Sequence, residues 1–199
     1  MGLNAYLEAV GSYGYTVGSA TGTNAARNIS GKPGKRLAIT GFAFQETDSV
    51  VPAIAYFMRS MEDTTIGTAA ASGATTITVT TMTNTPATGG HVCIVLDNGT
   101  YQFTTVGSTA STTSIPLTSA LTDSAAAGNS VYYLALYGTT GAGHCRWDQG
   151  AEGVQEAEYH EPGIFFGASK GSPMRVEVSD NSGSQPAELD FVSFGYINV

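Results

Sequence analysis

Charge is what this 199-residue chain has least of: charged residues make up 12% of it, against roughly 25% in soluble globular proteins. The shortage is uneven. No Lys or Arg occurs between Arg59 and Arg146. Over the whole chain 16 acidic residues face 8 basic ones, a formal net charge of -8. Phosphate neutralisation needs clustered Lys and Arg, so this balance speaks against a nucleic-acid partner. An anionic membrane surface is disfavoured on the same ground.

Cysteine is scarce too. Cys93 and Cys145 are the only two, and their spacing has no C-x-x-C character. They read as two separate buried thiols or as one pair across the fold, and spacing does not choose. No apolar run reaches the length of about 18 residues that a transmembrane helix needs. The opening Met1-Gly2-Leu3-Asn4 has no basic stretch followed by an apolar core, so a secretory signal is not expected. Tyr6 stands where a myristoylation motif wants Ser or Thr. Synthesis in the cytosol is the expectation.

What is present argues for a folded all-β protein. Apolar residues make up 42%, with ten Tyr, eight Phe and one Trp, enough to build a core. In residues 35–47, Leu37 and Ile39 alternate on one face, and Phe42 and Phe44 fall on the other. That switch near Gly41 predicts a bulge or bend. Residues 50–61 form a second apolar strand, with Pro52 at its start or on an edge. Strands are also expected over 130–137, 174–178 and 189–197, the last with a changing apolar side that suits a twisted or bulged strand. Residues 1–34, rich in Gly, Ala, Ser and Asn, read as an extended N-terminal arm or as a disordered terminus. Tyr6, Tyr13 and Tyr15 on it suit a contact surface.

The middle has a different texture. Residues 64–122 hold 19 threonines, and Thr75 to Thr80 alternates cleanly. His91 to Leu96 and Thr100 to Val106 flank Asp97-Asn98-Gly99, where Asn98-Gly99 predicts a type I′ hairpin turn. Ile115-Pro116-Leu117 reads as a short edge strand. Composition therefore divides the chain into the arm, 1–34, a β-sandwich formed by 35–63 with 130–199, and an inserted β-barrel-like module, 64–129. One continuous β domain is the competing reading. The insertion makes the strands around Met61 and Val131 neighbours in space. Threonine suits strand surfaces through its branched β-carbon, and it keeps a face polar without charge.

Candidate chemistry is sparse, and no enzyme activity is expected. His91 and Cys93 share a strand face, but no third ligand or orienting acid is near in sequence. Asp148, Glu152, Glu156, Glu158 and Glu161 put five acids in fourteen positions. They read as a solvated acidic loop, as a divalent-cation seat or as a counterpart to the basic Arg27, Lys32, Lys35 and Arg36 of a neighbouring subunit. Trp147 and Tyr159, with Asp148, Glu156, Glu158 and His160, form a possible ligand-facing set suited to sugar stacking. Gly167 to Ser172 lacks the order of a phosphate-binding loop and reads as a turn. No catalytic residue, metal site or cofactor is assigned.

The runs Gly73 to Thr80 and Gly90 to Val106, continuing to Leu117 to Leu121 and Gly128 to Tyr132, resemble the small β modules of tailed-bacteriophage structural proteins. Pro173 to Val178 and the terminal strand resemble a virion jelly roll. The resemblance covers about two-thirds of the chain and is one of texture. It implies a virion component: a capsid decoration (cement) protein with a jelly-roll β-sandwich, or alternatively a tail- or fibre-associated glycan-binding module. It further implies the major capsid protein as partner, self-association as a homotrimer, and a place on the capsid surface. Tyr6, Tyr13, Tyr15, Arg27, Lys32, Lys35 and Arg36 are then the expected subunit or capsid contacts.

Overall fold

The structure, a computed structural model, describes residues 24–46, 53–136, 146–148, 156–158, 165–180 and 187–197. Every regular element among them is a strand, and every registered strand pair is antiparallel. The protein is all-β. Contacts divide it into two compact units, Ser60–Ala135 and the described residues on either side of that segment. The composition break at 64–129 lies inside the first of these.

The flanking unit holds two sheets. In one, β1 (Asn24–Ile29) pairs with β12 (Met174–Asp180), β12 with the first half of β3 (Ala53–Thr68), and β3 with β9 (Arg146–Asp148). In the other, β2 (Arg36–Glu46) is central. It pairs with β13 (Ala187–Ile197), and also with β10 (Glu156–Glu158) and β11 (Phe165–Phe166). Leu37, Ile39, Phe57, Met174 and Val176 are buried there. The bend expected near Gly41 is present: the register of β13 on β2 slips between Ser193↔Gly41 and Phe194↔Ile39. A single extra residue of this kind reverses the phase of alternation along a strand. The described pairings do not show a jelly-roll winding. They also place 24–29, expected in the arm, as a strand inside a sheet, because Asn24 to Ile29 find continuous backbone partners on β12.

Ser60–Ala135 is a nearly closed barrel. Its strands are the second half of β3, β4 (Thr76–Val79), β5 (His91–Val95), β6 (Tyr101–Thr105), β7 (Ser114–Pro116) and β8 (Ser130–Leu136). The sheet runs β7-β4-β3-β8-β5-β6. Its two ends then meet through the bridge Val106↔Leu117. There the Gly107 amide donates to the Pro116 carbonyl at 3.0 Å, and the Thr118 amide to the Thr105 carbonyl at 2.9 Å. β7 is thus an edge in strand pairing, as Pro116 predicts, and the edge is covered at its end. β3 and β8 are neighbours, as an insertion at this point requires. Inside lie Ile66, Ile77, Val79, Val92, Ile94, Leu96, Val106, Ile115, Leu117 and Val131.

The β5–β6 turn departs from expectation. A type I′ turn needs positive φ at both central residues, and Gly99 has φ 80 while no non-glycine residue has positive φ. The Gly99 amide donates to the Leu96 carbonyl, and the Leu96 amide to the Thr100 carbonyl, both at 2.9 Å. This is the three-residue loop, a type I turn closed by a left-handed glycine. The Asn98 side chain selects it: its Oδ1 accepts from the Thr100 amide at 2.9 Å and the Thr100 hydroxyl at 2.6 Å.

In the flanking unit, Gly31 meets the 167–173 loop so closely that a Cβ would stand 1.8 Å from the Gly171 carbonyl oxygen. Gly31→Ala should therefore cost about 1–3 kcal/mol, read as an earlier midpoint in denaturant unfolding followed by tryptophan fluorescence.

Candidate interaction surface

The exterior of the barrel is built on threonine hydroxyls that bond to one another and to the backbone. On β4, Thr76 and Thr78 point to solvent while Ile77 and Val79 point inward. The Thr65 and Thr80 hydroxyls share a hydrogen bond of 2.9 Å, and the Thr64 hydroxyl donates to the Thr80 carbonyl at 2.9 Å. At the closing seam the Thr105 hydroxyl donates to that of Thr118, also at 2.9 Å. Cross-strand hydroxyl pairs of this kind replace the ion pairs that a charged sheet would carry.

One end of the barrel is sealed by a strap, residues 118–129. Leu121 and Ala125 on it are buried in the core. Its backbone exchanges bonds with 70–74: Ala70 and Ala125 bond each other in both directions at 2.9 Å, and the Leu121 amide donates to the Ala74 carbonyl at 2.9 Å. Two side chains pin it from outside. Gln102 donates to the Ala120 carbonyl at 2.9 Å and accepts from the Thr122 amide at 2.8 Å. Asp97 accepts from the Ser124 hydroxyl at 2.7 Å, and from the Ala126 amide and the Asn129 side chain at 2.8 Å each. These donors hold the Asp97 carboxyl below its ordinary range, the Ser124 hydroxyl contributing most. Neither Gln102 nor Asp97 was legible as a strap anchor, because their partners lie 18 to 32 residues away in the chain.

The outer face of β8-β5-β6 is the apolar exception. Cys93 sits opposite Phe103 on β6 and Tyr132 on β8, and His91, on the same face, sits opposite Thr105 and Leu134. The Tyr101 and Tyr132 rings lie nearly parallel, 6.5 Å apart and inclined by 13°. Cys93 is fully buried and free, and burial pushes its thiol far above its ordinary range. Burial likewise raises the Tyr132 phenol, with the Asp63 charge adding to the effect and a hydrogen bond to Ser130 opposing it. His91 and Cys93 do share a face, yet among the described residues no group of three metal-ligating side chains forms.

The expected contact and ligand residues fall in separate places. Lys32 and Lys35 face each other across the turn Lys32-Pro33-Gly34-Lys35, where the Lys35 amide donates to the Lys32 carbonyl at 3.0 Å and Gly34 has φ 74. Proline then glycine with positive φ is the type II pattern. Arg36 donates through Nε to the Gly167 carbonyl at 2.6 Å. Arg27 lies on β1 opposite Val176, its guanidinium donating to the Ala26 carbonyl at 2.9 Å. Trp147 and Asp148 are on β9, paired with Ala55 and Ile54, whereas Glu156 and Glu158 are on β10, paired with Phe44 and Phe42 in the other sheet. Tyr6, Tyr13, Tyr15, Cys145, Tyr159 and His160 lie outside the described residues. No protein-family model matches this chain, and no curated protein or solved structure matches it.

Two tests address this surface. Asp97 has its folded pKa below its unfolded value, so its contribution is present at neutral pH and is lost as pH falls through the folded pKa. Asp97→Ala should lower the melting temperature at pH 7, and the gap to wild type should close under strong acid, below the ordinary carboxylate range. The Cys93 thiol should resist alkylation in the native protein at neutral pH and react on unfolding, which peptide mass mapping of Cys93 would follow.

Proposed function

We propose that this chain is a non-enzymatic structural protein of a virus particle, a capsid decoration (cement) protein that stabilises the head of a tailed bacteriophage. One observation carries the reading: the Ser60–Ala135 barrel has no Lys or Arg and an exterior of threonine hydroxyls already bonded to one another. Such a surface is wet enough to stay soluble. It is also cheap to bury, because the dehydration of charge that makes ionic contacts costly is small here. The resemblance of the 73–106 run to phage β modules points the same way. In this reading the two-sheet unit is the anchoring body and the barrel is the part that projects or bridges between neighbours. The jelly-roll character of the body belongs to the resemblance. Major capsid protein is the partner, and the capsid surface is the site of action.

The second reading is a tail- or fibre-borne glycan-binding module, drawn from Trp147 and the acidic residues after it. The separation of β9 and β10 into different sheets gives it less support.

The purified chain should co-sediment with empty capsids of its cognate phage and raise the temperature at which they rupture. Absence of co-sedimentation, together with a specific signal on a glycan array, would transfer support to the second reading.

A further inference from the structure

The chain has a single Asn-Gly step, Asn98-Gly99, and the fold places it in the β5–β6 turn. An asparagine followed by glycine is a chemically labile pair in water. With no Cβ to hinder its approach, the glycine nitrogen can close on the side-chain amide carbon. Two other asparagines differ. Asn28 precedes the β-branched Ile29 and accepts from Arg175 at 2.6 Å, and Asn129 precedes Ser130 and donates to Asp97 at 2.8 Å. Asn98 is exposed, and no atom lies within 4 Å of the place where a Cβ would stand on Gly99, so water reaches the step.

The turn presents half of this reaction and withholds the other half. The Thr100 amide and hydroxyl both donate to Asn98 Oδ1, at 2.9 and 2.6 Å, which draws electrons from Cγ, the carbon that is attacked. The Gly99 amide proton has to leave before its nitrogen can attack, and it is held by the Leu96 carbonyl at 2.9 Å. Leu96 is buried in the barrel core. Asp97, between Leu96 and Asn98, is fixed to the strap. Its amide donates to the Ser124 carbonyl at 2.9 Å, and its carboxylate accepts from Ser124, Ala126 and Asn129. The Gly99 nitrogen is freed when this end of the barrel opens.

We propose that Asn98 is a self-modification site that records opening of the strapped end of the barrel and then prevents it from closing again. On opening, the Gly99 nitrogen gives up its proton to solvent and bonds to Asn98 Cγ. The Cγ–Nδ2 bond breaks, and the side-chain nitrogen takes a proton from solvent and leaves as ammonia. The succinimide that remains takes up one water. Cleavage of the new N–Cγ bond gives aspartate at 98. Cleavage of the original peptide C–N bond gives isoaspartate, whose main chain runs through Cβ and Cγ. Water replaces ammonia overall, and nothing is oxidised or reduced. Isoaspartate adds a carbon to the main chain of a three-residue loop. The bonds from the Gly99 amide to Leu96 and from the Leu96 amide to Thr100 then no longer fit together, and Asp97 is carried off its place against the strap. The inference stands apart from the decoration reading, and capsid binding has no bearing on it.

Peptide mapping of the whole chain, aged in mildly alkaline buffer and in urea, tests this. Chymotrypsin makes the cuts, since no Lys or Arg lies between Arg59 and Arg146. In urea, Asn98 should convert about tenfold or more faster than Asn28 and Asn129. In the folded protein its conversion should be about tenfold or more slower than in urea, because only the open fraction reacts. Asp97→Ala, with circular dichroism matching wild type, loosens the strap. It should raise the folded rate about threefold or more and leave the urea rate unchanged. Chain aged in urea, separated by charge and refolded should yield an isoaspartate form that melts below fresh protein. It should also melt below Asn98→Asp, which adds the same charge without lengthening the main chain. Equal rates in folded and unfolded protein overturn the gating, as does a folded Asp97→Ala that ages no faster than wild type. Conversion in urea no faster than at Asn28 and Asn129 overturns the site. An isoaspartate form that melts with fresh protein overturns the one-way consequence.

Discussion

The short seam at Val106 and Leu117 bears on almost everything else in the inserted barrel. Five strand pairings run from β7 through β4, β3, β8 and β5 to β6, and they bury their aliphatic face only if the two ends meet. An open sheet of this size would leave two edges of unpaired amides and carbonyls, and part of the core wet. The Val106↔Leu117 bridge closes it, made by the amide bonds of Gly107 and Thr118. The strap then has a rim to cross, and Leu121 and Ala125 have a core to enter. Pro116 belongs in the same account. Lacking an amide proton, it suits a strand that is paired on one side and met only at its end on the other.

Closure also sets the terms for the exterior. A barrel with few charges has to keep its outer positions polar by another route, and threonine supplies it with a hydroxyl on a β-branched stem. The hydroxyls are spent largely on neighbouring strands, as at Thr65 with Thr80 and Thr105 with Thr118. The few carboxylates that remain are used locally. Asp97 holds the strap, and Glu62 accepts from the amides of Thr83 and Asn84. The β8-β5-β6 face differs because cross-strand pairing sets aromatic and aliphatic residues around Cys93. The thiol is shielded there from the chemistry its adjacency to His91 invites.

Several features were readable because they depend on near neighbours in the chain. The alternation Thr76-Ile77-Thr78-Val79 reports the two faces of β4 directly, and the phase switch at Gly41 reports the register slip against β13. Gly99 at positive φ was readable as a turn residue. The turn type was not, because the choice between a two-residue and a three-residue loop is made by Asn98 bonding forward to Thr100. The strand β1 was less readable for a similar reason. Asn24 to Ile29 have no strong strand pattern of their own and become a strand because β12 offers an edge.

By itself the sequence determined the all-β class, the change of texture across the middle and the absence of cations there, since these follow from composition and from a period of two residues. Tertiary structure alone decided which strand ends meet to close the barrel, which side chains pin the strap, that Trp147 and Glu156 fall in different sheets, and that the 167–173 loop closes on Lys35 and Leu37. Each of these is a pairing between segments far apart in the chain. Hydrogen bonds between distant strands leave no periodic mark on either segment, so they become visible only when the backbone has folded and its amides have found their acceptors.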